Sequence, residues 1–253
     1  MRSPLGAELS DRNRAILEAA QQLYLVTGGQ LRRLVFAEPR ANSVDGRVAR
    51  RVLQRLTEQG LLVRTTRSLG GVRGGSSSYV YALGRQGARL LGESPVRRSV
   101  DPSLTFLRHT LAVSELFVEL HEAARAGNFE LVSIQVGTRC WRPLGDGTGR
   151  ALKPDLFIHL ATETEDLFAY IEVDLATEHR GAIRRKLALY QSHRSTGRDQ
   201  ERLGVFPLVI WSAPDPIRAE RMREYLASEE RRSPGLHHVV LAQDFINQLN
   251  ERR

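Results

Sequence analysis

The sequence predicts an α/β (α+β) chain in two parts, with helices and a hairpin first and a central mixed sheet flanked by helices second. Three observations predict this. Residues 8–92 read as three helices followed by two strands and a short helix. Residues 103–250 read in the order α-β-β-β-α-β-α-β-α, which requires helices on both faces of the sheet. The charge also divides: residues 1–100 hold 17 arginines against 7 acidic residues, whereas residues 101–253 hold 20 basic against 22 acidic. The first hundred residues therefore carry all of the +8 net charge of the 253-residue chain. A polyanion is the partner such a surface fits.

Composition narrows the class further. A chain 41% hydrophobic and 26% charged folds in water. No apolar run approaches the roughly 20 residues that cross a bilayer, so no membrane role is expected. Residues 1–10 lack an apolar signal core, and a cytoplasmic protein is expected. With Cys140 as the one cysteine, neither an internal disulfide nor a cysteine-built metal cluster can form. Of 37 basic residues only Lys153 and Lys186 are lysine, the more compact and tunable cation.

Ser10 or Asp11 can cap a helix to about residue 26, with Ile16, Ala19, Ala20, Leu23 and Tyr24 on one face. Thr27-Gly28-Gly29 breaks it, residues 30–36 form a second helix, and residues 39–42 a turn. Ser43 opens a third helix, where Val44, Val48, Val52, Leu53 and Leu56 recur at helical spacing. Its other face presents Arg47, Arg50, Arg51 and Arg55, and Gly60 is a suitable stop. Strands follow at 61–66 and 78–83, joined by a glycine-rich segment, 69–77. This succession describes a winged helix-turn-helix, whose third helix enters the major groove of DNA. The wing, with Arg67 and Arg73, would lie along phosphates. A solvated arginine face is the competing reading. A short helix at 85–91 and a Pro-containing linker, 92–102, complete the first part.

A long helix at 103–126 opens the second part. Strands are expected at 130–137, 151–161 and 167–175, with a turn at 143–150. A helix at 181–194, a buried strand at 205–211, a helix at 217–227, a strand at 236–241 and a final helix from 243 follow. Lys153-Pro154-Asp155 precedes one apolar run, and Ile171-Glu172-Val173-Asp174 ends another. Alternation puts Glu172 and Asp174 on one face of their strand, and Lys186 and Tyr190, four apart, share a face of their helix. Carboxylates ending neighbouring strands beside a lysine suit Mg²⁺ or Mn²⁺, which bind phosphate oxygens and activate water. The alternative is structural: Asp155 caps a turn and Glu172 pairs with an arginine.

At these residues the chain resembles the PD-(D/E)XK nuclease pattern, through Pro154-Asp155, Glu172-Val173-Asp174 and Lys186. More widely, over about residues 8–212, it resembles the replication-relaxation family, which includes MobC-type plasmid relaxases. The stretches that carry this likeness are Leu17 and Leu31, Arg50-Arg51-Val52-Leu53, Gly60-Leu61-Leu62, His109-Thr110-Leu111-Ala112-Val113, Pro154-Asp155, 171–178 and 186–190. The resemblance implies a winged helix joined to a restriction-endonuclease-like domain and a link to plasmid replication, DNA relaxation and mobilisation. It implies Asp155 and Glu172 as metal ligands for Mg²⁺ or Mn²⁺ and Lys186 as the catalytic lysine. The usual lysine position, two after the second acid, holds Asp174, so Asp174 joins the candidate site and Lys186 must reach in from the next helix. Lys153 is the other candidate lysine.

Several residues carry weaker signals. Glu115 or Glu119 could add an acid from the long helix, although a solvated face explains them, and His109 reads as a hydrogen-bonded residue. His237 and His238 face opposite ways, and Cys140 beside Trp141 reads as structural. No His-x-His cluster exists to support covalent tyrosine chemistry, so Tyr190 reads as packing against the sheet, which Leu187 and Leu189 favour, or as contacting a phosphate. The expected activity is Mg²⁺-dependent nicking of double-stranded DNA at a plasmid or mobile-element site. The rivals are a non-catalytic replication initiator and a transcription regulator. Partners would be duplex DNA, other replication or transfer proteins and, for a winged helix, a second copy of the chain.

Overall fold

Ser10 starts the first helix by accepting a hydrogen bond from the Asn13 amide, one of the orphan donors of the opening turn. The computed structural model describes residues 9–36, 44–65, 79–93, 102–230 and 233–250. Helix α1, Asp11–Leu23, buries Ile16, Leu17, Ala20 and Leu23, and ends where Tyr24 takes a left-handed φ of 65°. Strand β1, Val26–Thr27, follows at once. Thr27 then caps α2, Gly28–Val35, in a reciprocal pair with Gln30. Gly28-Gly29 therefore opens a helix rather than breaking one. The capping box outweighs the poor propensity of two glycines, which the bare sequence reading weighed alone.

Helix α3, Val44–Glu58, buries Ala49, Leu53 and Leu56. It stops at Gly60, whose φ of 67° lets the Leu61 amide return to the Leu56 carbonyl at 2.9 Å. Strands β2, Leu62–Arg64, and β3, Val80–Leu83, pair antiparallel, and β1 joins on the far side of β3 to give the order β1-β3-β2. Helix α4, Arg85–Leu90, needs the backbone of Gly84 against Gly60, where an added Cβ would stand 2.2 Å from the Gly60 carbonyl oxygen. The segment 69–77, Arg67, Arg73 and the turn at 39–42 lie outside the described residues, as does most of the 92–102 linker.

Helix α5, Leu104–Arg125, follows, and the chain divides into two compact units, 1–118 and 119–253. The first half of α5 packs within the first unit. Leu107 and Leu111 complete an apolar cluster with Leu25, Val80 and Ala82, and the Ser114 hydroxyl donates to the Leu25 carbonyl at 2.8 Å.

The second unit is built on five strands in the order β10-β9-β8-β7-β4. Strand β4, Glu130–Val136, leads through a 3₁₀ turn to the small hairpin β5, Arg142–Pro143, and β6, Ala151–Leu152. Strands β7, Leu156–Ala161, and β8, Asp166–Val173, come next. Helices α6, Arg180–Arg194, and α7, Arg198–Leu203, precede β9, Leu208–Ala213. Helix α8, Pro216–Glu230, strand β10, His237–Leu241, and helix α9, Phe245–Asn250, complete the unit. Strands β4, β7 and β8 are antiparallel, and β8, β9 and β10 parallel, so the sheet is mixed.

Side-chain alternation gives this sheet two covered faces. Phe157, Tyr170, Val209 and Trp211 meet Ile183, Leu187 and Tyr190 of α6 and Met222 and Leu226 of α8. Each such side chain, fully buried, contributes about 1.5–3 kcal/mol. On the opposite face Leu160 and Leu208 line a small cavity with Leu249 of α9. Two expectations shift. The expected strand 151–161 is split into β6 and β7 because Pro154 lacks an amide to extend a ladder. Helix α7 replaces what the sequence left as a connection. Among the described residues, no helix is long and apolar enough to cross a membrane.

Candidate functional site

The break at Pro154 sets the first acid in place. Asp155 follows it at the mouth of β7; its amide donates to the Ile171 carbonyl at 3.1 Å and its Oδ2 accepts from the Val173 amide at 2.8 Å. The carboxylate is thus tied to the end of β8 on which Glu172 stands. Glu172 sits opposite Trp211 in the parallel register of β8 and β9 and directs its side chain toward α6, where it is 2% exposed.

Helix α6 brings two partners to that carboxylate. Lys186 Nζ lies 2.8 Å from Glu172 Oε2, and the Tyr190 hydroxyl donates to Oε1 at 2.8 Å. Lys186 also reaches Glu178 Oε1, in the loop before α6, at 3.0 Å. Burial raises the Glu172 carboxyl above the ordinary range, and the charge of Asp155 adds to this, while Lys186 and Tyr190 pull it back. Burial also works against the charge on Lys186, but Glu172, Asp155 and Glu178 outweigh it and raise its pKa. Burial beside Glu172 pushes the Tyr190 phenol up as well, so it acts as a proton donor in its hydrogen bond.

Asp155, Glu172 and Lys186 therefore come together in one electrostatic cluster, with Tyr190 and Glu178 at its edge. Asp174 faces the same helical layer but goes elsewhere. Arg218 of α8 grips it through Nε at 2.5 Å and a second nitrogen at 3.0 Å, and also donates to the Glu178 carbonyl at 2.7 Å. Lys153 turns outward over the Trp141 ring, 4.3 Å from its centre. Glu172 and Asp174 thus both have protein partners, and that of Glu172 is lysine rather than the arginine of the structural alternative.

The donor set is suited to a hard divalent cation. Mg²⁺ takes one or two carboxylates and keeps its other positions for water or phosphate. Asp155 and Glu172 could supply hard oxygen, and Glu178 gives Lys186 a second carboxylate partner. No group of three or more His, Cys, Asp or Glu side chains placed to hold a metal exists among the described residues.

The remaining residues resolve simply. Glu115 is taken by Arg33, and by Gln30 at 2.9 Å, within the first unit. His109 is half-buried and Glu119 lines a groove with Glu122 and Gln243. His237 accepts from the Trp211 indole at 3.3 Å while His238 meets the Gly235 carbonyl at 2.7 Å. Cys140 is buried against the Pro154 carbonyl at 3.1 Å, and burial pushes its thiol up to about 12, which makes it inert. In the first unit, Arg47, Arg50, Arg51 and Arg55 are all exposed along one side of α3, and none forms an ion pair among the described residues.

Sequence reasoning missed a buried network beside the cluster. Asp199 of α7 accepts from Tyr170 at 2.5 Å and Arg202 at 2.9 Å, and meets His193 at 2.7 Å. These bonds hold its carboxyl far below the ordinary range, although burial opposes them. Helix α7 is short and polar, and no local pattern in it marks Asp199 as buried. The Arg218 clamp was equally hidden, since 44 residues separate it from Asp174.

Fold and cluster together define an α/β protein with an arginine-faced helix in one unit and a buried acid–lysine cluster in the other. A family model described as Replication-relaxation matches residues 17–209, and the chain belongs to the replication-relaxation family. The matched span runs from α1 into β9 and includes every residue of the cluster. No curated protein and no solved structure matches the chain.

Proposed function

We propose that this protein binds duplex DNA of a plasmid or other mobile element and nicks one strand there, in replication or mobilisation. Family membership supports the setting, and with it plasmid DNA, replication or transfer proteins and a cytoplasmic location. Residues 8–92 act as a winged helix, with Arg47, Arg50, Arg51 and Arg55 of α3 at the major groove and Arg67 and Arg73 on the wing, as one half of a dimer. Residues 103–250 act as a PD-(D/E)XK, restriction-endonuclease-like domain of the MobC type.

The observation that carries this reading is the 2.8 Å approach of Lys186 to Glu172, with Asp155 anchored to the same strand end. Asp155 and Glu172 would hold Mg²⁺ or Mn²⁺, which supplies an activated water and polarises the phosphodiester. Lys186 stabilises charge that builds on the phosphoryl oxygens, and Glu178 keeps its amine in position. Tyr190, protonated and buried, orients Glu172 and does not attack DNA. Asp174 supports the loop through Arg218 and takes no part in the chemistry.

Nicking of supercoiled plasmid carrying the cognate origin tests the proposal. Asp155→Ala and Glu172→Ala should each abolish Mg²⁺-dependent nicking while duplex binding persists; a wild-type protein that nicks under no divalent metal defeats it. One observation favours a second reading, a non-catalytic initiator or regulator: both oxygens of Glu172 already have protein donors. In that case Glu172→Gln would leave every DNA-dependent readout intact.

A further inference from the structure

A groove of about 500 Å³ runs between the β5–β6 hairpin and α6 in the second unit. Arg150 and Lys153 stand on the hairpin side, and Arg185, Ala188, Leu189 and Ser192 on the helix side. This concentration of cations is local, because residues 101–253 as a whole hold more acids than bases. Arg150 is paired with Asp146 at 2.7 Å. Lys153 and Arg185 are exposed and, among the described residues, neither has a carboxylate partner. Trp141, 39% exposed, lies next to the groove, with the Lys153 ammonium 4.3 Å from its ring centre.

We infer that this groove holds a single DNA strand. Cations tracking a backbone beside an aromatic ring are what single-stranded nucleic acid requires, since every base offers a face for stacking. A B-form duplex conceals those faces and, with a major groove alone about 12 Å wide, is too bulky for a cleft of this size. Two of its cations neighbour the acid–lysine cluster in sequence: Lys153 lies two residues before Asp155, and Arg185 directly precedes Lys186. The inference deepens the proposed nicking function and rests on that reading for the identity of the strand as DNA. Lys153, unused by the chemistry, thereby acquires a role in holding phosphate.

Binding of a labelled short oligothymidylate to the full-length protein, followed by anisotropy over a salt series, tests this. Lys153→Ala with Arg185→Ala should weaken strand binding about tenfold and make the log–log salt slope shallower by about 1.4, for two single-strand phosphate contacts. The same loss should appear in protein already carrying Arg50→Ala and Arg51→Ala, and Lys153→Arg with Arg185→Lys should restore affinity. Should the alanine variant fail to fold, ultraviolet cross-linking of a bromodeoxyuridine strand to wild-type protein is the second measurement, with Trp141 the expected adduct. Unchanged affinity and slope, a cross-link confined to the first unit, or displacement by oligoglutamate as effective as by unlabelled strand would each overturn the inference. Nicking is scored separately: a protein that never nicks yet loses strand binding with these substitutions keeps the groove and loses the cleavage reading.

Discussion

Lys186 and Glu172, 14 residues apart and on different elements, meet at 2.8 Å in a site where the carboxylate is 2% exposed. An isolated buried carboxylate would be strongly penalised, and this one is tolerated because a cation and a phenol satisfy its two oxygens. The cation that satisfies this strand-borne carboxylate is thus delivered from the following helix.

Tyr190→Phe removes a hydrogen bond to a buried carboxylate and keeps the ring that packs against Trp211. The expected cost is about 1–3 kcal/mol, read as a lower urea midpoint. Metal-dependent nicking should survive in the variant, because the hydroxyl positions rather than attacks. A covalent protein–DNA adduct that disappears with Tyr190→Phe would contradict this assignment.

Arg218→Ala leaves Asp174 buried without its bidentate partner and frees the Glu178 carbonyl. Removing one member of a buried pair costs about 3–5 kcal/mol. Pairing the change with Asp174→Ala should return part of that loss, since no lone charge then remains inside. Equilibrium denaturation of the two variants checks the order; equal stabilities would show that the pair is not coupled.

Asp199 gives the fold a pH dependence of defined sign. Its carboxyl is depressed in the folded state, so its stabilisation is fully present above the unfolded value near 4 and is lost as the pH falls below it. Asp199→Asn should flatten the acid limb of the stability–pH curve between about pH 4 and 2, and lower stability at neutral pH. An acid limb identical to wild type would exclude Asp199 as its source.

Metal binding should also weaken on protonation, but in a higher pH range. Glu172 is raised above the ordinary carboxylate range, and only its ionised form can bind a cation. Mn²⁺ affinity measured by calorimetry should therefore tighten as the pH rises from 5.5 to 7.5, well above the roughly 4.3 of a free glutamate. Affinity constant across that interval would mean that Glu172 is not a ligand.

The arginine face of α3 is read by salt. Arg50→Ala with Arg51→Ala should reduce duplex affinity and make the log–log salt slope shallower by about 1.8. An unchanged slope would place the duplex on another surface.

Much of this was legible in the sequence because it depends on local rules. Helical spacing of Leu53 and Leu56 turned the arginines of α3 outward, strand alternation put Glu172 and Asp174 on one face, and Lys186 and Tyr190 shared a face of their helix. What escaped depended on long-range partners. Nothing near Asp174 announces Arg218, and Asp199 lies in a segment too short and polar to read as a buried helix. The Gly28-Gly29 pair opens a helix because its cap lies in Thr27 and Gln30 on either side. Lys186, the leading candidate lysine, meets Glu172, whereas Lys153, the second candidate, turns to Trp141.

The most direct measurement is a double-mutant cycle on the rate of Mg²⁺-dependent plasmid nicking, using Asp155→Ala, Lys186→Ala and both together. Groups that act as a unit are grossly non-additive, so each single change should lower the rate about as far as the pair does. Losses that simply multiply, or a Lys186→Ala protein that nicks at the wild-type rate, would contradict the account.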